Sequence, residues 1–342
     1  MTSDGGDRPL DLTVAGYPFD RVADLESTVP VEGCEVRFEQ ASIGEMNSHV
    51  FAGPRTREVS EIGLAPYLLA HANEDFRAYT LIPVFPLRLF RHKSVFIRTD
   101  TGIERPEDLR GKRVGTSGYS TTSLTWIRGM LEHEYGIRPE EIRWVLADED
   151  SSADLAGSRS AQEQMLPDGL DVTRGTAGKS ESDLLVDGEV DALFHAAEPE
   201  AFVSGHPLVA RLFTDSRAAE HAYFAKTGMF PIMHAVAIRS DVAEANPWLP
   251  TAVFNAYVTA KQNALRRLRT LGWAMISLPW LAQEADATRE LMGENYWPYG
   301  VEANRSTLTS FLQYSHEQGL TNRTVALEEL FHPSTLELVD TP

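Results

Sequence analysis

Three histidines are candidates for proton transfer near neutral pH. His195 follows the apolar segment Ala192–Phe194, at the carboxyl end of a predicted strand, which is where open α/β sheets place ligand-binding residues. His92 belongs to a basic cluster, and His234 lies in a predicted returning strand. Because histidine titrates near pH 6.5, it can both donate and accept a proton. We interpret His195 as the first catalytic candidate, followed by His92 and His234; a structural, hydrogen-bonded role is the alternative for each.

Basic residues next to a predicted crossing between two lobes could bind an anion. Arg88, Arg91 and His92 fall within five positions, and a strand there would point alternate side chains to opposite faces. An arginine such as Arg91 can hold a carboxylate through two parallel N–H bonds. Arg21, after the first predicted strand, is a further candidate ligand of an anion. The alternatives are a solvated basic strand end and, for Arg21, a pair with a neighbouring aspartate.

The segment 111–136 combines a short apolar strand with a hydroxyl-rich turn that opens a predicted helix. Ser120, Thr121 and Thr122 suit a helix start, where free N–H groups favour an anion. The glycines of this turn fit neither the dinucleotide fingerprint nor the phosphate loop, so a carboxylate is the better candidate ligand. Tyr119 could cover an aromatic ring, and Thr227 is a further predicted substrate contact. The alternative is an ordinary strand-to-helix turn whose hydroxyls only cap the helix.

Composition limits the partners and cofactors. A formal charge of −19 over 342 residues argues against nucleic acid and anionic membranes as partners. The one cysteine, Cys34, excludes an intramolecular disulfide and Cys-rich metal sites, and no histidine spacing marks a metal. We therefore expect no metal and neither nucleic acid nor a membrane as partner; a homo-oligomer is compatible with these observations. The start of the chain lacks the pattern of a secretory signal and no apolar run could span a bilayer, which predicts a cytoplasmic protein.

Short strands alternate with helical stretches, which predicts an α/β layer fold. The polar turn 99–108 looks like a crossing between lobes. We predict a discontinuous first lobe of residues 10–97 and 237–342, and a second lobe of residues 98–236. The polar stretch 147–179 has weak periodicity and is interpreted as a long surface excursion.

The order of these elements resembles the type 2 periplasmic binding protein fold. Three blocks, 90–95 (FRHKSV), 118–134 (GYSTTSLTWIRGMLEHE) and 227–239 (TGMFPIMHAVAIR), resemble those of the 4,5-dihydroxyphthalate decarboxylase family. The resemblance extends from about Leu12 to Phe331. It implies a two-lobed α/β fold with a ligand cleft between the lobes, and a cytoplasmic decarboxylase of a hydroxylated aromatic dicarboxylate.

The resemblance implies a small anionic aromatic substrate and a reaction that needs no organic cofactor. A histidine would protonate the ring at the carbon that bears the departing carboxylate, and loss of carbon dioxide would restore aromaticity. The helix start 120–122 and Arg91 would hold the retained carboxylate. Two alternatives stay open: a non-catalytic binding protein for a small aromatic acid, whether cytoplasmic or transport-related, and another lyase or ring-modifying enzyme on the same fold.

Overall fold

In a computed structural model, which describes residues 9–269 and 276–341, eleven strands form two sheets. Residues 1–8, which open the acidic start of the chain, lie outside the described residues. The strands are β1 (Leu10–Gly16), β2 (Cys34–Gln40), β3 (Val59–Gly63), β4 (Tyr79–Ile82), β5 (Val95–Arg98), β6 (Arg113–Thr116), β7 (Arg143–Leu146), β8 (Val172–Arg174), β9 (Ala192–Phe194), β10 (Val209–Arg211) and β11 (His234–Arg239).

Helices connect the strands and cover the sheets. The described helices are α1 (Ile43–Phe51), α2 (Leu64–Asn73), α3 (Thr122–Tyr135), α4 (Ala153–Ala156), α5 (Glu181–Val186), α6 (Glu200–Val203), α7 (Ser216–Thr227), α8 (Ser240–Ala245), α9 (Leu249–Arg269), α10 (Leu281–Met292) and α11 (Arg305–Glu317). None of them combines the length and the apolar character that a membrane crossing needs.

The first sheet has the strand order β2-β1-β3-β11-β4 and the second the order β10-β5-β9-β6-β7-β8. In the first, β1 runs parallel to β2 and β3, whereas β11 is antiparallel to its neighbours. In the second, β6 to β9 are parallel, and β5 is antiparallel to both β9 and β10. This is the mixed α/β architecture that the alternating pattern predicts.

The strand β5 lies in the second sheet, although the predicted boundary at residue 97 assigned it to the first lobe. It pairs with β9 through Val95 and Phe194, so its contacts are made there. The returning strand β11 begins at His234 and already pairs with β3 there. The chain therefore passes between the sheets before residue 95 and returns before residue 234.

The helix α3 follows the sequence signals closely. The Thr121 side chain accepts a hydrogen bond from the Leu124 N–H at 3.4 Å, as an N-cap does. Gly136 ends the helix in the left-handed conformation, with φ of 67°, which glycine adopts without steric cost. In the middle of the helix, Gly129 packs directly under the ring of Tyr314 from α11.

We expect Gly129→Ala to destabilise the fold. A Cβ at this position would lie 2.1 Å from a Tyr314 ring carbon, so the steric conflict should outweigh the better helix propensity of alanine and cost about 1–3 kcal/mol. The measurement is urea unfolding at equilibrium, with Gln313→Ala on the exposed side of α11 as the control, for which a change within about 0.5 kcal/mol is expected. Equal stability of Gly129→Ala and wild type would contradict this packing.

Candidate active site

A cavity of about 340 Å³ lies where the carboxyl ends of strands from both sheets meet. Residues that follow β1, β2 and β3 line it from the first sheet, and residues that follow β6, β7 and β9 line it from the second. The amino end of β11 adds Met233 and His234. This is the edge at which parallel α/β sheets bind their ligands.

Three helices begin at this cavity. Ile43 and Gly44 at the start of α1, Gly63 at the N-cap of α2, and residues 121–124 of α3 all line it. Side chains already accept hydrogen bonds from the first turns of two of these helices. The Tyr17 hydroxyl accepts from the Ile43 N–H of α1 at 2.7 Å, and Thr122 Oγ1 accepts from the Ala65 N–H of α2 at 2.9 Å. The partial positive charge of three helix N-termini favours an anion.

Arg91 adds a full positive charge to the cavity wall. Arg91 is only 5 % exposed, and within the described ranges it forms no ion pair with a carboxylate. Its guanidinium donates to the Ala196 carbonyl at 2.8 Å and to the Met233 sulfur at 2.8 and 3.2 Å. Burial lowers the pKa of Arg91 to about 10, so it is still cationic at neutral pH. A buried cation with a thioether acceptor is well suited to bind a carboxylate.

His195 also lines the cavity, where two carboxylates hold it in place. Its Nε2 lies 3.2 Å from Asp150 Oδ1 and 3.3 Å from Glu181 Oε1, and its Nδ1 lies 3.0 Å from the Ala197 carbonyl. Burial lowers the pKa of His195, but the bond to Asp150 and the charges of Glu181 and Asp150 raise it above its ordinary value on balance. The two carboxylates therefore favour the protonated form of His195.

Asp150, Glu181 and His195 also place three ligand atoms within 4.8 Å of one another. A nitrogen with two carboxylate oxygens is a donor set that divalent metals accept. Both carboxylates already have donors, however: Ser152 donates to Asp150 Oδ1 from its N–H and its hydroxyl at 2.8 and 2.7 Å, and the Ser151 N–H donates to Glu181. A proton on His195 satisfies the same geometry, and the expectation of no metal remains a prediction.

His234 has a different environment, although it lines the same cavity. Its Nδ1 lies 2.5 Å from Glu61 Oε1, while its Nε2 has no hydrogen-bond partner among the described residues. Glu61 is 1 % exposed and is fixed by the Tyr17 N–H, which donates to Oε2 at 3.1 Å. With Nδ1–H donating to Glu61, the Nε2 atom is the ring nitrogen available to a ligand.

Four acidic or basic side chains of the site were not predicted from the sequence. Glu61 lies in β3 and contacts His234 across 173 residues of chain. Asp150, Arg159 and Glu163 belong to the stretch 147–179, which lines the cavity between residues 150 and 163 and is therefore not a simple surface excursion. Only its unusual density of Asp, Ser and Gly set it apart in the sequence.

Among the predicted residues, the structure brings His195, His234, Arg91, Thr121 and Thr122 to the cavity. His92 points instead into an aromatic cluster with Phe213 and Tyr223, because residues 92–94 form a 3-10 turn in place of the expected strand.

The remaining candidates are engaged elsewhere. Arg21 stacks on Trp297 and donates to the Pro86 carbonyl. Tyr119 is fully buried, with its ring 3.7 Å from the Arg128 guanidinium carbon. The Ser120 hydroxyl donates to the Met165 carbonyl, and the Thr227 hydroxyl donates to the Tyr223 carbonyl at 2.7 Å in the last turn of α7.

Solved structures share this fold. The periplasmic aliphatic sulphonate binding protein SsuA from Escherichia coli superposes with a TM-score of 0.53 at 13% identity, covering 94% of this chain and 97% of that one. A putative sulfonate-binding protein of an ABC transporter from Methylobacillus flagellatus gives a TM-score of 0.54 at 12% identity, covering 96% and 93%. The protein therefore has the two-lobed periplasmic binding protein-like fold that the sequence predicts.

Sequence relatives define the family. The NMT1/THI5 like family model matches residues 88–160. A 4,5-dihydroxyphthalate decarboxylase from Comamonas testosteroni is 34% identical over 331 residues, covering 96% of this chain and 98% of the relative, and one from Pseudomonas putida is 30% identical over 216 residues, covering 63% and 81%. The chain belongs to the 4,5-dihydroxyphthalate decarboxylase family and is a carboxy-lyase, which confirms the predicted class of enzyme.

His195 should titrate above pH 6.5. Because its pKa is raised in the folded state, its ion pairs stabilise the protein fully below about pH 6.5, and this stabilisation is lost as the pH rises through the folded-state pKa. The measurement is a proton NMR titration, with His195→Gln to assign the signal. Asp150→Asn should lower the pKa of His195, and a wild-type pKa at or below 6.5 would contradict the stabilising effect of the two carboxylates.

Proposed function

We propose that the protein decarboxylates a hydroxylated aromatic dicarboxylate such as 4,5-dihydroxyphthalate, without an organic cofactor, in the cavity between the two sheets. The observation that carries the proposal is Arg91, a buried guanidinium in the cavity wall that has no carboxylate partner in the described part of the chain. The two relatives named 4,5-dihydroxyphthalate decarboxylase support this choice of substrate.

Arg91 anchors one carboxylate of the substrate. The start of α3, with Thr121 and Thr122, faces the same cavity and adds N–H donors and a favourable helix dipole. Apolar side chains of the wall, such as Leu87, Leu89 and Leu124, suit an aromatic ring. Together these groups bind a planar aromatic carboxylate.

His234 is the proton donor to the ring. Its Nε2 is free of partners among the residues that the structure describes, whereas both ring nitrogens of His195 are within hydrogen-bond distance of an acceptor. Glu61 orients His234 through Nδ1, as carboxylates orient catalytic histidines in hydrolases. We therefore place His234 before His195 as the acid, and assign His195 the role of holding Asp150 in the cavity wall.

The reaction then balances with one proton. A hydroxyl para to the departing carboxylate supplies electrons to the ring, and the carbon bearing that carboxylate takes a proton from protonated His234. The bond between this carbon and the carboxylate breaks, its electron pair restores the aromatic ring, and carbon dioxide leaves. The phenol serves as the electron source and sink, so the step requires no organic cofactor.

Turnover of 4,5-dihydroxyphthalate tests the proposal. We expect a product lighter by one carbon dioxide, detected by liquid chromatography and mass spectrometry, and no product from phthalate, because phthalate lacks the hydroxyl that supplies electrons. A chelator should leave the rate unchanged, and loss of activity with recovery on added metal would assign Asp150, Glu181 and His195 to a metal. Binding without any mass change in hydroxylated acids would favour a binding protein instead.

Replacing His234 should abolish most of the turnover. Loss of the general acid in His234→Gln should lower kcat by about 10²–10⁴ while substrate binding, measured by calorimetry, changes little. Glu61→Gln should cause a smaller loss, because it changes the orientation of His234 and not the acid itself. His221→Gln, on α7 outside the cavity wall, is the matched control. Full activity of His234→Gln with an inactive His195→Gln would reverse the two roles.

A further inference from the structure

We propose that Glu163 binds the ring hydroxyl of the substrate and accepts its proton, so that this residue selects hydroxylated over unsubstituted aromatic acids. The inference rests on the proposed function, because it assigns the acceptor which that reaction needs. Glu163 lies in the cavity wall and is 8 % exposed. It forms no ion pair in residues 9–269 and 276–341.

The two oxygens of the Glu163 carboxylate differ in the number of hydrogen bonds that they accept. Oε2 accepts three hydrogen bonds, from the Ser160 N–H and hydroxyl at 2.9 Å each and from Asn47 Nδ2 at 3.3 Å. Oε1 has no donor among the described residues. Because Glu163 lines the cavity, a ligand there can supply a donor to this oxygen. In the proposal, the ring hydroxyl of the substrate donates to Oε1, which gains a charge-assisted hydrogen bond.

The fold keeps this carboxylate in place on both sides. The Glu163 carbonyl accepts from the Ser120 N–H at 3.2 Å, next to the start of α3. Asn47, which holds Oε2, also accepts from the Gly63 N–H at 3.1 Å, and Gly63 pairs with His234 across β3 and β11. Asn47 and Gly63 thus link Glu163, the proposed proton acceptor, to His234, the proposed proton donor. Glu163 follows the strand β7 of the second sheet, whereas His234 belongs to the first sheet.

This placement completes the electron flow. As the ring carbon takes its proton from His234, the O–H bond of the para hydroxyl breaks, its proton passes to Glu163 Oε1, and its electrons enter the ring. After carbon dioxide has left, Glu163 returns the proton to the phenolate oxygen of the product, and His234 is reprotonated from solvent. No oxidant or further reactant is needed.

Binding of ligands that cannot lose a second carboxylate separates this inference from turnover. Calorimetry with 3,4-dihydroxybenzoate and with benzoate measures the preference for hydroxyls, which we expect to be at least about tenfold in the wild type because the acceptor is charged. Glu163→Gln keeps the size of the side chain and should remove most of this preference while leaving benzoate affinity unchanged. Glu163→Asp, which withdraws the carboxylate from the cavity, should reduce the preference as well.

Two controls distinguish recognition from structure. Ser160→Ala removes one donor of Oε2, the hydroxyl, and keeps the N–H, so it should lower thermal stability and keep the hydroxyl preference. Asp168→Asn removes an exposed carboxylate from the same segment and should change neither. A wild type without preference, or a Glu163→Gln variant that keeps it, would overturn the inference. The wild type could also show no decarboxylation. If Glu163→Gln still removed the hydroxyl preference in that case, the binding role of Glu163 would be supported and the proposed reaction refuted.

Discussion

The site depends on one guanidinium that stays charged inside the protein without a carboxylate beside it. Removing an ion from water costs several kcal/mol, and Arg91 recovers part of that cost from the Ala196 carbonyl and the Met233 sulfur. These two acceptors lie after β9 and before β11, so the contacts that hold Arg91 also join the two sheets. In a chain with a net charge of −19, Arg91 gives the cavity wall a buried cation that forms no ion pair among the described residues.

The two cavity histidines have different hydrogen-bond partners, and the proposed reaction gives them different roles for that reason. His195 lies between Asp150 and Glu181, and each of its nitrogens has an acceptor. A proton on such a ring is stabilised, and its transfer to a ligand would leave two buried carboxylates without their counter-charge. His234 has one carboxylate on Nδ1 only, which fixes the tautomer and leaves Nε2 for the ligand. A proton carrier needs the second arrangement, because it must give up its proton and regain it.

Local signals predicted many of the elements and part of the site. The hydroxyls before α3 and the glycine after it predicted both ends of that helix, and the apolar run before His195 predicted its place at a strand end. His92 fits a similar local pattern, yet a 3-10 turn directs it into an aromatic cluster. The partner of His234 could not be predicted, since Glu61 lies 173 positions away and its side chain reaches His234 only because β3 and β11 pair in this register.

The polar stretch 147–179, which follows β7, shows why composition alone does not distinguish a surface loop from a cavity wall. Weak periodicity with many Asp, Ser and Gly residues is typical of surface loops, but a cavity that binds a polar anion is also lined by such residues. Here Ser158 packs so closely on Gly44 of α1 that a Cβ at position 44 would lie 2.2 Å from its carbonyl oxygen. This contact crosses from the second sheet to the first, so the stretch covers the cavity. Because it also contributes Arg159 and Glu163 to the wall, changes in this one segment can alter the lining of the cavity while both sheets and Arg91 stay the same.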